Sequence, residues 1–175
     1  MPESLTIMGI DPGSRVTGFG LVRVDGSRIG YISSVVIRLK SDDFADRLRL
    51  IFDQMSVLLS EHRPREVAIE RVFMHRNADS ALKLGQARGA AICAAVTRAL
   101  PVAEYSPREI KQAVVGKGSA DKTQIQHMVR VLLNLPGTPQ ADAADALAVA
   151  LCHSHMQQTL NRVPDARASR GGRLR

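Results

Sequence analysis

The segment LTIMGIDPGSRVTGFGLVRVDGSRIG, residues 5–30, decides the fold class. Leu5 to Ile10 is apolar and β-favouring, and Asp11-Pro12-Gly13-Ser14 ends it with turn chemistry. Thr17 to Val24 reads as a second strand with a turn at Asp25-Gly26, and Arg28 to Leu39 as a third. Links this short join antiparallel neighbours, because a parallel pair needs a long crossover. The chain therefore opens as three antiparallel strands.

Working outward, Ser41-Asp42-Asp43 reads as a helix start, with Ser41 able to cap and acids suited to the helix dipole. Phe44, Leu48, Ile51, Phe52, Met55, Leu58 and Leu59 follow at helical spacing, and the helix ends before Pro64. Glu66 to Glu70 is a short strand, Asn77 to Leu100 a long helix, and Pro101 to Tyr105 another strand. Ser106-Pro107 opens a short helix that stops at Gly116. Asp121 to Asn134 and Gln140 to Thr159 are two more, split by Leu135-Pro136-Gly137-Thr138-Pro139. The expected architecture is α/β: a mixed sheet of about five strands, flanked by helices, with sites gathering at the strand carboxyl ends.

The 175 residues suit one domain, 1–159, with a basic tail over 160–175 that holds almost no apolar side chains and is expected to be disordered. The 45% hydrophobic and 23% charged content excludes a wholly disordered or collagen-like chain. The formal net charge is +7, which points to a polyanionic partner. Arg162, Arg167, Arg170, Arg173 and Arg175 stand against only Asp165 in the last stretch, so charge alone does not locate a binding surface. No apolar run reaches the roughly 20 residues of a membrane span. The N-terminus MPESLTIMGID has no basic region before an apolar stretch, so a cytoplasmic location is expected. Cys93 and Cys152 are far apart, cannot form an all-cysteine zinc site, and read as small core or interface residues. His127 and His153 read as non-catalytic, since neither has a partner at metal-ligand spacing.

Four carboxylates stand out. Asp11 ends the first strand and Glu70 the fourth, while Asp142 and Asp145 lie three apart in ADAADAL and share one helix face. Each has an ordinary reading: turn former, solvated charge, or complement to a helix dipole. The small apolar residues around Asp142 and Asp145 weigh against it. Two acids on a buried helix repel unless a cation or proton lies between them. If the four converge, they form an oxygen-only cluster suited to Mg²⁺ or Mn²⁺, and phosphodiester cleavage uses two such ions about 3.5–4 Å apart.

Four stretches resemble the RuvC family of Holliday-junction resolvases: GIDPGSRVTGFGLV (9–22), AIERVFMHRNADSALKLGQARGAA (68–91), VVGKGSADKTQIQHMV (114–129) and PQADAADALAVA (139–150). The resemblance covers about residues 5–155 and implies a ribonuclease H-like fold, a homodimer, and metal-dependent cleavage of four-way DNA junctions. It matches Asp11, Glu70, Asp142 and Asp145 to the family's catalytic, metal-binding carboxylates, with two Mg²⁺ per site and Mn²⁺ as a substitute. It makes Phe73 an apolar wedge at the junction, places Arg76 near the same DNA, and gives Lys111 and Lys122 to DNA binding, Lys122 nearest the scissile phosphate. Lys117, in the Gly116-Lys117-Gly118 loop, joins that basic group. Arg71 stands where some relatives have Gln and reads as a surface charge. The family reading also puts the helix bearing Gly85 and Gly89 at the dimer interface, although packing on the chain's own sheet explains the same glycines. The implied reaction is in-line attack of water on phosphorus, leaving 5′-phosphate and 3′-hydroxyl at nicks in two strands of like polarity. The resemblance also implies a short T-rich preference and a RuvA–RuvB branch-migration partner.

Two alternatives differ in class. One is a single-lobe nucleotide-binding protein of the sugar-kinase/actin type, which would need a second lobe to close around ATP. The other is a junction-DNA-binding module without catalysis, which has no use for four acids where phosphate must approach.

Overall fold

The structure, a computed structural model, describes residues 4–72 and 77–162. Phe73 and Arg76, and the tail beyond Arg162, lie outside the described residues. In chain order the elements are β1 (Leu5–Asp11), β2 (Val16–Asp25), β3 (Arg28–Arg38), α1 (Phe44–His62), β4 (Glu66–Glu70), α2 (Ala78–Val96), β5 (Val102–Tyr105), α3 (Pro107–Val115), α4 (Lys122–Leu132) and α5 (Ala141–Arg162). The five strands form one sheet in the order β3-β2-β1-β4-β5. The first three are antiparallel, and β4 and β5 run parallel to β1.

Strand alternation divides the core into two layers. Met8, Ile10, Phe19, Leu21, Val67 and Ile69 face α1 and α2. Ile7, Val22 and Ala68 face the other way, toward α3, α4 and α5. Helix α5 is buried on nearly every side from Ala143 to Ser154, apart from the partly exposed Asp145, as the Ala- and Leu-rich sequence demands. It lies close to the sheet because Gly18 and Gly20 sit beneath it. A Cβ on Gly20 would stand 2.6 Å from the Leu147 amide nitrogen, and one on Gly18 would collide with the Asp142 carbonyl oxygen.

Local chemistry accounts for most boundaries. In α3, Ser106 and Glu109 form a capping box, Pro107 opens the helix, and Gly116 closes it in the left-handed conformation. Asp121 and Gln124 cap α4 in the same way. The start of α1 differs from the sequence expectation. Its cap is Asp43, whose side chain accepts from the Asp46 amide, while the Ser41 hydroxyl accepts from the Asp43 amide one step earlier. Helix α2 stops at Val96, four residues before Leu100. Leu100 precedes Pro101 and is disfavoured in helical conformation, and the chain turns through Ala99 at φ 56° to enter β5. Helix α5 continues three residues past Thr159. Cys152 is buried, which pushes its thiol up to about 12, whereas Cys93 is exposed and so is not a core residue. Among the described residues, no helix is long and apolar enough to cross a membrane.

Candidate active site

The register Ile10↔Ile69 of parallel β1 and β4 sets their carboxyl ends side by side, so Asp11 and Glu70 are neighbours despite 58 intervening residues. The turn after Asp11 is fastened by Thr17, a fully buried residue whose hydroxyl donates to the Gly13 carbonyl at 3.0 Å. Both acids open into a cavity of about 300 Å³. Asp145 and Ala148 of α5, Ile110 and Lys111 of α3, and Lys122 and Ile125 of α4 complete its wall, together with Pro107. Asp142 is not on this wall, yet it is near enough to raise the proton affinity of both Asp11 and Asp145. Lys117 is exposed on the α3–α4 connection and does not line the cavity.

The electrostatics are those of crowded acids. Burial, then the charges of Glu70 and Asp145, push Asp11 up to about 8, and its carboxyl donates a hydrogen bond to Glu70. Glu70 is raised by burial and by Asp145, against that hydrogen bond and the nearby Lys111 and Lys122. Asp145 is raised by burial, with Lys122 opposing. The Lys122 Nζ is 3.9 Å from Asp145 Oδ2 and is well exposed, so the pair contributes little stability. Among the described residues, no three His, Cys, Asp or Glu side chains are set close enough to hold a metal ion as they stand. The donor set itself, all oxygen and short of positive charge, fits a hard divalent ion and not zinc.

A pH dependence follows. Folding raises the affinity of Asp11 for its proton from the usual 3.8 to about 8, so between those values the folded chain binds more protons than the unfolded one. Stability then falls as pH rises through that window. Without metal, the melting temperature should drop between about pH 4 and about pH 8, and Mg²⁺ should restore more of it at the upper end. Asp11→Asn should flatten the profile. A wild-type melting temperature that rises over the same range would contradict this assignment of the proton.

Several contacts that hold the strand ends together leave no sequence signal. Arg88 of α2 donates from Nε to the Glu70 carbonyl at 3.1 Å. Arg71 lies 3.7 Å from Glu104 in an exposed ion pair, in keeping with a surface charge. His153 is buried, joined to the Tyr105 hydroxyl at 2.7 Å and to Glu66 at 2.5 Å, which clamps α5 to β4 and β5 away from the cavity. These partners are distant in sequence, and only the folded chain pairs them.

A family model described as crossover junction endodeoxyribonuclease RuvC matches residues 7–153. The chain is 57% identical to the crossover junction endodeoxyribonuclease RuvC of Marinobacter nauticus over 169 residues, 97% of this chain and 94% of that one. It is 56% identical to the protein of the same description from Tolumonas auensis, over 97% of this chain and 98% of the relative. Among solved structures, T. thermophilus RuvC in complex with a Holliday junction substrate is similar with a TM-score of 0.83 and 35% identity, covering 89% of this chain and 96% of that one. The expected ribonuclease H-like architecture is therefore the one observed.

Proposed function

The chain belongs to the RuvC family of crossover junction endodeoxyribonucleases, and from that premise we propose that it resolves Holliday junctions by paired, metal-dependent nicks in strands of like polarity. The carrying observation is the meeting of Asp11, Glu70 and Asp145 in one cavity with Lys111 and Lys122 on its rim. Neither a single-lobe nucleotide binder nor a non-catalytic module accounts for a chain 57% identical to a named endonuclease.

Asp11, Glu70, Asp145 and Asp142 would hold two Mg²⁺, with Mn²⁺ able to substitute. When bound, such a pair supplies an activated water and offsets charge on the leaving oxygen. The chain's own groups do the rest. Asp11, whose proton affinity is raised by burial and the neighbouring acids, would release its proton to solvent as the ions bind, leaving both carboxylates ionised for ligation. Ile110, Ile125 and Ala148 keep bulk water from one side of the cavity and so strengthen its electrostatic interactions. Lys111 and Lys122 face the phosphate oxygens, and Lys117 and Arg76 add charge along the DNA path. In-line attack leaves 5′-phosphate and 3′-hydroxyl ends. A T-rich preference and a RuvA–RuvB partner belong to the same reading, as does a cytoplasmic location.

The deciding experiment is cleavage of a synthetic four-way junction with Mg²⁺, beside a linear duplex of the same sequence. Symmetric nicks in the junction alone are expected. Equal cutting of the duplex, or none of the junction, would refute the proposal.

Two nicks call for two sites, and α2 offers a contact surface. Leu82, Cys93 and Val96 are exposed on it, and a Cβ at Gly85 or Gly89 would meet nothing in the chain's own fold. Intrachain packing therefore does not explain two glycines that each cost about 1 kcal/mol in a helix. A second copy packed on this face does, and gives a two-fold pair of sites. Gly89→Gln should stabilise the isolated chain slightly while dissociating the dimer in sedimentation. An unchanged dimer would place the contact elsewhere.

Phe73 would act as the wedge that offsets unstacking at the junction centre, a few kcal/mol per step. Phe73→Ala should cut an intact junction poorly and one with unpaired central bases comparatively well, at near-normal thermal stability. Equal loss on both substrates would remove the wedge role.

A further inference from the structure

The carbonyl of Glu70 ends β4, and the side chain of Arg88 reaches back to it from the middle of α2. Arg88 Nε donates to that oxygen at 3.1 Å, and the Arg88 side chain is only 17% exposed. Its Nη2 is 2.8 Å from Glu104 Oε2 of β5, an ion-pair contact rather than an aligned hydrogen bond. Arg71, next to Glu70, donates its amide to the Tyr105 carbonyl at 2.7 Å, so β5 holds one side of the strand end and Arg88 the other. The rigid planar guanidinium presents Nε to the carbonyl while Nη2 stays beside Glu104, a geometry that a lysine ammonium on a flexible stem does not reproduce. The rest of the active cavity is built on the opposite face of the sheet, from α3, α4 and α5. Arg88 is thus a contact by which the α2 layer acts directly on the residue that bears a proposed metal-binding carboxylate.

We propose that Arg88 is a positioning residue for Glu70: by fixing the end of β4 to α2, it sets where the Glu70 carboxylate stands relative to Asp11 and Asp145. Glu104 orients the guanidinium. The inference rests on the reading of Glu70 as a metal-binding carboxylate. Outer groups that hold a metal-binding side chain typically contribute 10–100-fold in metal affinity or activity. Nothing in the inference requires Arg88 to touch DNA, so junction affinity should be untouched.

The test uses full-length protein with Arg88→Lys, Arg88→Gln and, as a probe of the ion pair alone, Glu104→Gln. Mn²⁺ binding is read directly by electron paramagnetic resonance without DNA, beside the Mg²⁺ dependence of junction cleavage, junction affinity and melting temperature. Arg88→Lys keeps a cation near Glu104 and should melt close to wild type. It should nevertheless bind Mn²⁺ about 10-fold more weakly and need correspondingly more Mg²⁺ for half-maximal cleavage, with excess Mg²⁺ restoring the rate. Arg88→Gln should be more severe, and Glu104→Gln milder. A folded Arg88→Lys with wild-type Mn²⁺ affinity and Mg²⁺ requirement would overturn the proposal. So would losses in the three variants that follow melting temperature alone. Wild type and Glu70→Gln are run alongside. Failure of wild type to cleave the junction would count against the proposed activity, whereas wild-type behaviour of Arg88→Lys counts only against this inference.

Discussion

Asp11→Asn and Glu70→Gln are each expected to lower junction cleavage by about 10³-fold or more while leaving junction binding intact, the scale seen when a group facing developing charge is removed. The two residues lie in one cavity, where burial raises the proton affinity of both. Replacing either with an amide keeps the volume and removes a potential ionic ligand. Binding should be equal to wild type or tighter, because an acid beside phosphate repels it. Asp145→Asn should behave alike. Asp142→Asn tests a different position, since Asp142 acts on its neighbours through charge from outside the cavity wall. The lysines should show the reverse pattern. Lys111→Ala and Lys122→Ala should weaken binding and each reduce the salt slope by roughly one unit. Gel-shift titrations over a range of salt, with single-turnover cleavage, separate the two classes. Residual wild-type cleavage in Asp11→Asn would remove it from the metal-binding set.

Gly18→Ala and Gly20→Ala should nearly silence the enzyme although neither residue lines the cavity. Both lie on β2 under α5, and in each case the new methyl would meet helix backbone rather than a side chain that can swing away. Something must shift. If α5 lifts, Asp142 and Asp145 move away from Asp11, and a misplacement of about 1 Å can cost 10²-fold in rate. Overpacking should also destabilise by about 1–3 kcal/mol, which lowers the melting temperature by roughly 2–4 °C per kcal/mol in a chain of this size. Gly30→Ala is the control, because that exposed position on β3 has open space for a methyl and should be neutral or stabilising. Paired melting and cleavage curves decide the matter. Full activity in Gly20→Ala at wild-type melting temperature would mean that the close seat of α5 does not set the site.

The sequence by itself determined what depends on neighbours along the chain. Apolar, β-favouring runs after Leu5, joined by short turns, specify the antiparallel strands. Ser106 with Glu109, and Asp121 with Gln124, specify where two helices begin. The apolar surroundings of Asp142 and Asp145 mark a buried helix that carries acids. Four motifs in order identify the family. Tertiary structure alone decided what depends on register and on how closely layers approach. It aligned Ile10 with Ile69, and so brought Asp11 beside Glu70. It left Asp142 off the cavity wall, ended α2 at Val96, turned Gly85 and Gly89 outward, and gave Arg88 the Glu70 carbonyl. The physical reason is range. Capping, turn chemistry and periodicity act over a few residues and leave a legible pattern. A hydrogen bond between residues 18 positions apart, or a helix seated on a glycine far along the chain, exists only after the sheet has set the distances.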